Sequence, residues 1–98
     1  MSIDRKDQHV EWCLPVEFNI YQARALKLEL ESALALQLPL VCELSAIEEM
    51  DGAALQLLLL AARECQLLRI PLRFKAPSQV CLEACSVMGF AGILEPTP

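Results

Sequence analysis

The sequence predicts an α/β layer with at least two parallel strands joined by right-handed crossovers, and three observations carry that prediction. Short apolar runs alternate with amphipathic stretches of helical period, in the order β, α, β, α, β, α. The hydrophobic fraction is 55% with only 5% aromatic residues, which describes a core of Leu, Ala, Val and Cys and suits helices laid on a sheet better than an aromatic-rich small barrel. The chain has 98 residues, enough for a single domain over residues 1–98 and too few for a second.

Each element has its own signal. Residues Met1 to Gln8 read as a polar lead-in. His9 to Leu14 alternates apolar and polar residues and predicts an edge strand that Pro15 halts, because proline cannot donate to a ladder. From Ile20 to Leu36 the residues Ile20, Ala23, Leu26, Leu30, Ala33 and Leu34 recur at spacings of three and four, the mark of an amphipathic helix, with Asn19 as its N-cap. Leu40 to Leu44 is apolar except for Glu43 and predicts a strand covered on both faces. A polar connection, Ser45 to Asp51, carries Ile47 and Met50 into a second helix, Gly52 to Leu67, which is apolar nearly all round. Ile70 to Phe74 predicts a strand whose Pro71 argues for an edge or an irregular start. Ser78 caps a third helix with Val80 to Val87 as its body and Gly89 as a left-handed terminator, and Phe90 to Leu94 is a short apolar tail that must pack.

Composition also excludes function classes. The net charge is −5, from 8 Lys+Arg against 13 Asp+Glu, and no basic cluster supplies the footprint of a nucleic-acid binder. The N-terminal MSIDRKDQHVEW lacks the apolar core of a signal peptide, and the run Ala53 to Ala62 is too short to span a bilayer, so a cytoplasmic protein with no direct membrane insertion is expected. The five cysteines, Cys13, Cys42, Cys65, Cys81 and Cys85, form no CxxC and read as reduced, buried small hydrophobes. Cys81 and Cys85 share a helical face, but the single histidine, His9, lies far away in sequence, and no metal site is expected. The adjacent Glu48 and Glu49 read as a solvated turn rather than an acid/base pair, and His9 has no nucleophile at a defined spacing. With only three glycines there is no phosphate-cradling loop or dinucleotide fingerprint. Trp12 and Tyr21 read as packing residues. The expectation is a protein that is not an enzyme and uses no cofactor.

The stretch from Leu40 to Leu94 carries a more specific pattern: a buried strand, a small-polar turn at Ser45, an acidic-hydrophobic loop to Met50, then Asp51-Gly52-Ala53-Ala54-Leu55 opening a helix, with Gly89-Phe90 and Ile93-Leu94 further on. This resembles the STAS (sulfate transporter and anti-sigma factor antagonist) domain family. The resemblance implies a STAS-like fold, a small mixed sheet with helices packed mostly on one side. It also implies a bacterial regulatory module that works by protein–protein contact, with an anti-sigma factor of kinase type or a chemosensory protein as partner. In family members regulated by phosphorylation, the serine or threonine directly after the aspartate receives the phosphate. Here that regulatory position is Gly52, and Ala53 and Ala54 supply no hydroxyl either. The longer form Asp51-Gly52-Ala53-Ala54-Leu55-Gln56-Leu57-Leu58-Leu59 is similar to STAS proteins of chemosensory gene clusters and, less closely, to the STAS subunit of phospholipid-transport complexes, which binds an ATPase.

Periodicity on the second helix separates its sides. Leu57, Leu58, Ala61, Ala62 and Cys65 fall toward a core, whereas Gln56, Leu59, Leu60, Arg63 and Gln66 fall on or near the outward side. The expected partner-binding set is Asp51, Gly52, Ala53, Gln56, Leu59 and Arg63, with Asp51 also serving as the N-cap. Two readings stand for Leu59 and Leu60: apolar anchors inside a polar rim, or residues covered by the C-terminal tail or by a second copy in a homodimer.

Overall fold

The computed structural model describes residues 3–94. Four strands form a mixed sheet in the order β1 (Ile3–Arg5), β2 (Val10–Cys13), β4 (Leu40–Glu43), β6 (Leu72–Lys75). β1 runs antiparallel to β2, and β2, β4 and β6 are parallel to one another. A second, two-stranded parallel ribbon pairs β3 (Glu17–Phe18) with β5 (Glu49–Met50). Three helices, α1 (Ile20–Leu34), α2 (Gly52–Leu68) and α3 (Gln79–Val87), are followed by a 3-10 turn over Ala91–Leu94.

The helices fall where the caps and periodicity place them. Asn19, Asp51 and Ser78 are the N-caps, each with its side-chain oxygen accepting a backbone N–H from the first turn. α2 ends on Arg69 in the left-handed conformation (φ 58°), and the Ile70 N–H donates back to the Cys65 carbonyl at 2.8 Å. Gly89 (φ 83°) does the same for α3, with Phe90 N–H donating to the Cys85 carbonyl at 2.7 Å. Of the tail expected to pack, Leu94 is buried and Ile93 half-buried, whereas Phe90 is exposed.

One hydrophobic cluster holds the layers together. Along β2 and β4 the residues Val10, Trp12, Leu14, Leu40, Cys42 and Leu44 are buried, and they meet Leu26 and Leu30 of α1, Leu57, Leu58 and Cys65 of α2, and Cys81 and Cys85 of α3. Trp12 is fully buried and its indole N–H donates to Glu29 Oε1 at 3.2 Å, so the largest core side chain leaves no unpaired donor. Burial pushes the Cys65 thiol up to about 11 and the Cys81 thiol up to about 12, and raises Cys42 and Cys85 as well, which keeps these core cysteines protonated at neutral pH.

Several expectations from sequence are overturned. Residues 1–8 are not merely a lead-in: Ile3–Arg5 is a strand, closed onto β2 by a turn in which the Lys6 N–H donates to the His9 carbonyl at 2.9 Å. The segment read as an edge strand, His9 to Leu14, is therefore interior, flanked by β1 and β4. β4 is covered on one face only, since Val41 and Glu43 are half-exposed while Leu40 and Cys42 are buried. The helices occupy one side of the sheet and leave Glu11, Cys13, Val41, Glu43, Arg73 and Lys75 facing outward on the other. β6 lies at the edge, as Pro71 predicted, but begins at Leu72. α1 stops at Leu34, two residues short of the predicted end, and Gln37 (φ 56°) turns the chain toward β4. Ile20, assigned to the apolar face, is 62% exposed, and Tyr21, read as a packing residue, is 90% exposed. Both occupy the first turn of α1, before that helix reaches the sheet.

Candidate functional site

The parallel strands β2, β4 and β6 all lead, through loops at their carboxyl ends, to helix N-termini, which is the end of an open α/β sheet where sites are usually built. The loop after β4 is pinned by its apolar residues. Leu44 and Ile47 are buried, and the Leu44 N–H donates to the Lys75 carbonyl at 3.0 Å. That anchoring throws Glu48 and Glu49 outward, where their backbone N–H groups both donate to the Val16 carbonyl, at 2.8 and 3.0 Å. The β3–β5 ribbon follows, with Glu17 opposite Glu49 and Phe18 opposite Met50. Two residues per strand suffice because buried Phe18 fastens the ribbon to the core.

The ribbon delivers the starts of α1 and α2 side by side, and Asp51 ties them. Its Oδ1 accepts the Ala54 N–H at 3.0 Å, capping α2, while its Oδ2 accepts the Ile20 N–H at 3.0 Å, at the first turn of α1. One carboxylate thus satisfies free donors of two helices and sits between two positive helix ends. Asn19 mirrors it, capping α1 through Oδ1 to the Tyr21 N–H at 3.0 Å, with Nδ2 donating to Glu49 Oε2 at 3.5 Å.

From this corner the predicted partner-binding residues run along α2. Gly52, Gln56 and Arg63 are exposed, Asp51 and Ala53 are half-buried, and Leu59 is half-buried against the edge of the core, as is Leu60. Gly52, Gln56, Leu59 and Arg63 recur at spacings that place them on one stripe of the helix, with Arg63 about 16 Å along the axis from Gly52. Gly52 has an ordinary backbone conformation, and a Cβ built on it meets nothing within 4 Å. The position therefore accepts a larger side chain without strain, and its lack of a hydroxyl is a matter of residue identity rather than of space.

A family model described as "Mlab, STAS domain" matches residues 1–95. The chain belongs to the STAS family. The fold of this STAS domain is also that of a solved structure of the anti-sigma factor antagonist SpoIIAA in its unphosphorylated form, with a TM-score of 0.76 at 14% identity over 98% of this chain and 86% of the other. No curated protein matches the chain significantly in sequence.

Sequence reasoning located the Asp51 cap of α2, but not the bond by which the same carboxylate reaches the start of α1. Val16, Ile20 and Tyr21, close in sequence to the Asn19 cap, are exposed. Asn19 and Asp51 are each preceded by a short apolar-acidic step, and nothing local says that the two steps pair. Among the described residues no three His, Cys, Asp or Glu side chains come together as a metal site, and no helix is long and apolar enough to cross a membrane.

Proposed function

We propose that this STAS domain is a non-enzymatic regulatory module, anti-sigma factor antagonist-like, that docks onto a protein partner through the start of α2. The partner is a kinase-type anti-sigma factor or a chemosensory protein. The observation that supports this most is the exposed, doubly tied helix start: Asp51 holds the N-termini of α1 and α2 in fixed relation, so the surface from Gly52 through Gln56 and Leu59 to Arg63 is presented preorganised. Half-buried Leu59 between exposed Gln56 and Arg63 has the anatomy of an apolar contact inside a polar rim.

With Gly52 at the phosphoacceptor position, the domain is either constitutively competent to bind or regulated by another input. Where a hydroxyl is present, phosphorylation adds a charge of about −2 at the docking surface and disrupts it by repulsion and desolvation. Calorimetric titration of the partner against wild type, Gly52→Asp and Leu59→Glu tests both points, because each variant introduces a charge at the proposed contact. Loss of affinity in both is expected, and unchanged affinity in both would falsify the surface. Gly52→Ser, which fits without a clash, should by contrast bind like wild type until a cognate kinase phosphorylates it. Co-purification of a transport ATPase as the bound partner would move the domain to the role of a transporter subunit.

A further inference from the structure

A cavity of about 500 Å3 opens at the end of the α1–α2 pair opposite the Asp51 corner. Both helices contribute their last turns to it. Each is followed by a left-handed residue, Gln37 (φ 56°) after α1 and Arg69 (φ 58°) after α2, which turns the chain sharply toward the next strand. Those two residues line the cavity as well. From Gly52 to Leu68 the axis of α2 runs about 24 Å, so the cavity lies a full helix length from the docking start of α2.

Its lining is apolar in one part and charged in another. Leu34 and Ile70 are buried, and Leu68, at the end of α2, is 53% exposed. Beside them stand Glu31 on α1, Glu64 on α2 and Arg69. Neither glutamate is ion-paired: among the described residues the ion pairs are Lys6–Asp4, His9–Glu11 and Lys75–Glu43. Lys27, one turn before Glu31, and Arg63, directly before Glu64, are the neighbouring cations on the two helices, and neither lines the cavity. No basic residue occupies the last turn of either helix, so two negative helix ends, worth about half a charge each, add to the two carboxylates. Arg69 supplies the single positive charge of the lining.

We propose that this cavity binds a free basic amino acid of the lysine, ornithine or arginine class. Such a ligand has a counterpart for every charged group of the lining. Its α-ammonium and carboxylate meet Glu64 and Arg69 at the end of α2, and its side-chain cation crosses to Glu31 on α1. Packed helices lie about 8–10 Å apart, a distance that a stem of three or four methylenes with a terminal cation bridges. The stem covers Leu34, Leu68 and Ile70, which removes apolar surface from water. Ligands of other classes fit less well. An anion meets two carboxylates and two negative helix ends, and a neutral apolar molecule strips water from Glu31, Glu64 and Arg69 without pairing them. A hard divalent cation requires six or more oxygens, and among the described residues no three His, Cys, Asp or Glu side chains converge. The volume lies within the range of about 300–1,000 Å3 usual for small-molecule sites. This inference does not depend on the docking reading.

The test titrates L-lysine, L-ornithine and L-arginine into the 15N-labelled full chain at constant ionic strength. Two comparators each lack one recognised group: cadaverine has no carboxylate, and norleucine has no side-chain cation. Amide shifts should saturate, centre on Ala35, Gln37, Leu68 and Ile70, and leave Gly52 and Ala53 unmoved. At least one of the three basic amino acids should bind about fivefold or more tightly than both comparators. Glu31→Gln, at an exposed helical position, should erase the preference over norleucine. Arg69→Asn should erase the preference over cadaverine, and asparagine tolerates the left-handed backbone there. Absence of saturation by all three up to about 10 mM overturns the proposal. So does a comparator that binds as tightly, a set of shifts centred elsewhere, or a preference that survives both substitutions. No partner protein enters the titration, so its failure leaves the docking reading standing, and loss of docking in Leu59→Glu leaves this site untouched.

Discussion

Replacing Asp51 by alanine removes two hydrogen bonds at once, and the structure allows the loss to be worked out. The α2 cap, Oδ1 to the Ala54 N–H at 3.0 Å, is worth about 1 kcal/mol by analogy with other N-cap deletions. The second bond, Oδ2 to the Ile20 N–H at 3.0 Å, is partly solvated and adds about another 1 kcal/mol. The expected destabilisation is therefore about 2 kcal/mol, which for a domain of this size lowers the melting temperature by roughly 10 °C. Asp51→Asn separates the two contributions, because its single amide oxygen can replace one carboxylate oxygen and not both; about half of the loss should remain. Urea unfolding followed by far-UV circular dichroism measures the midpoints, and an unchanged m-value confirms that the denatured state is not what moved. If Asp51→Ala costs less than about 0.5 kcal/mol, or if asparagine and alanine are equally destabilising, the carboxylate does not tie the two helices and the reasoning about a preorganised docking corner loses its footing.

Three further outcomes follow from the core and the sheet. Glu29→Ala leaves the buried Trp12 indole N–H without its acceptor and should destabilise the fold by about 1 to 3 kcal/mol, read from the intrinsic fluorescence of the only tryptophan. Of the five cysteines only Cys13 is exposed, so a thiol reagent at neutral pH should label one site rapidly in the native protein and the other four only on unfolding; rapid labelling of Cys81 or Cys85 would contradict the burial and raised thiol pKa found there. The Ser45 hydroxyl, helped by the Ser45 N–H at 3.1 Å and by Lys75, holds the Glu43 carboxyl below its ordinary range. A depressed folded-state pKa contributes stability that is present above the unfolded value and disappears as the pH falls through the folded one. The stability difference between wild type and Glu43→Gln should accordingly shrink on acidification below the ordinary carboxylate range, and a difference that grew there would refute the assignment.

The sequence by itself determined the elements whose signals are local. Asn19, Asp51 and Ser78 announce helix starts because a short polar side chain can fold back onto the first free N–H groups, whatever the rest of the chain does. Gly89 announces a helix end because it takes φ 83° without penalty. The periodicities of α1 and α2 placed Leu26, Leu30, Ala33 and Leu34, and Leu57, Leu58, Ala61 and Cys65, on buried faces, though they also assigned Ile20, which is exposed, and the motif from Leu40 through Leu55 carried the family. What the tertiary structure decided was everything that depends on pairing across distance. Ile3–Arg5 has the composition of a charged terminus and becomes a strand only because β2 offers it a ladder, which in turn makes β2 interior rather than edge. The two-residue strands β3 and β5 have no period to detect, and Ile20 and Tyr21 look like core residues until the ribbon fixes how α1 approaches the sheet. The bond from Asp51 to the Ile20 N–H joins residues 31 apart in sequence, and such contacts are set by where the packed layers place two helix ends, not by any preference of the residues between them.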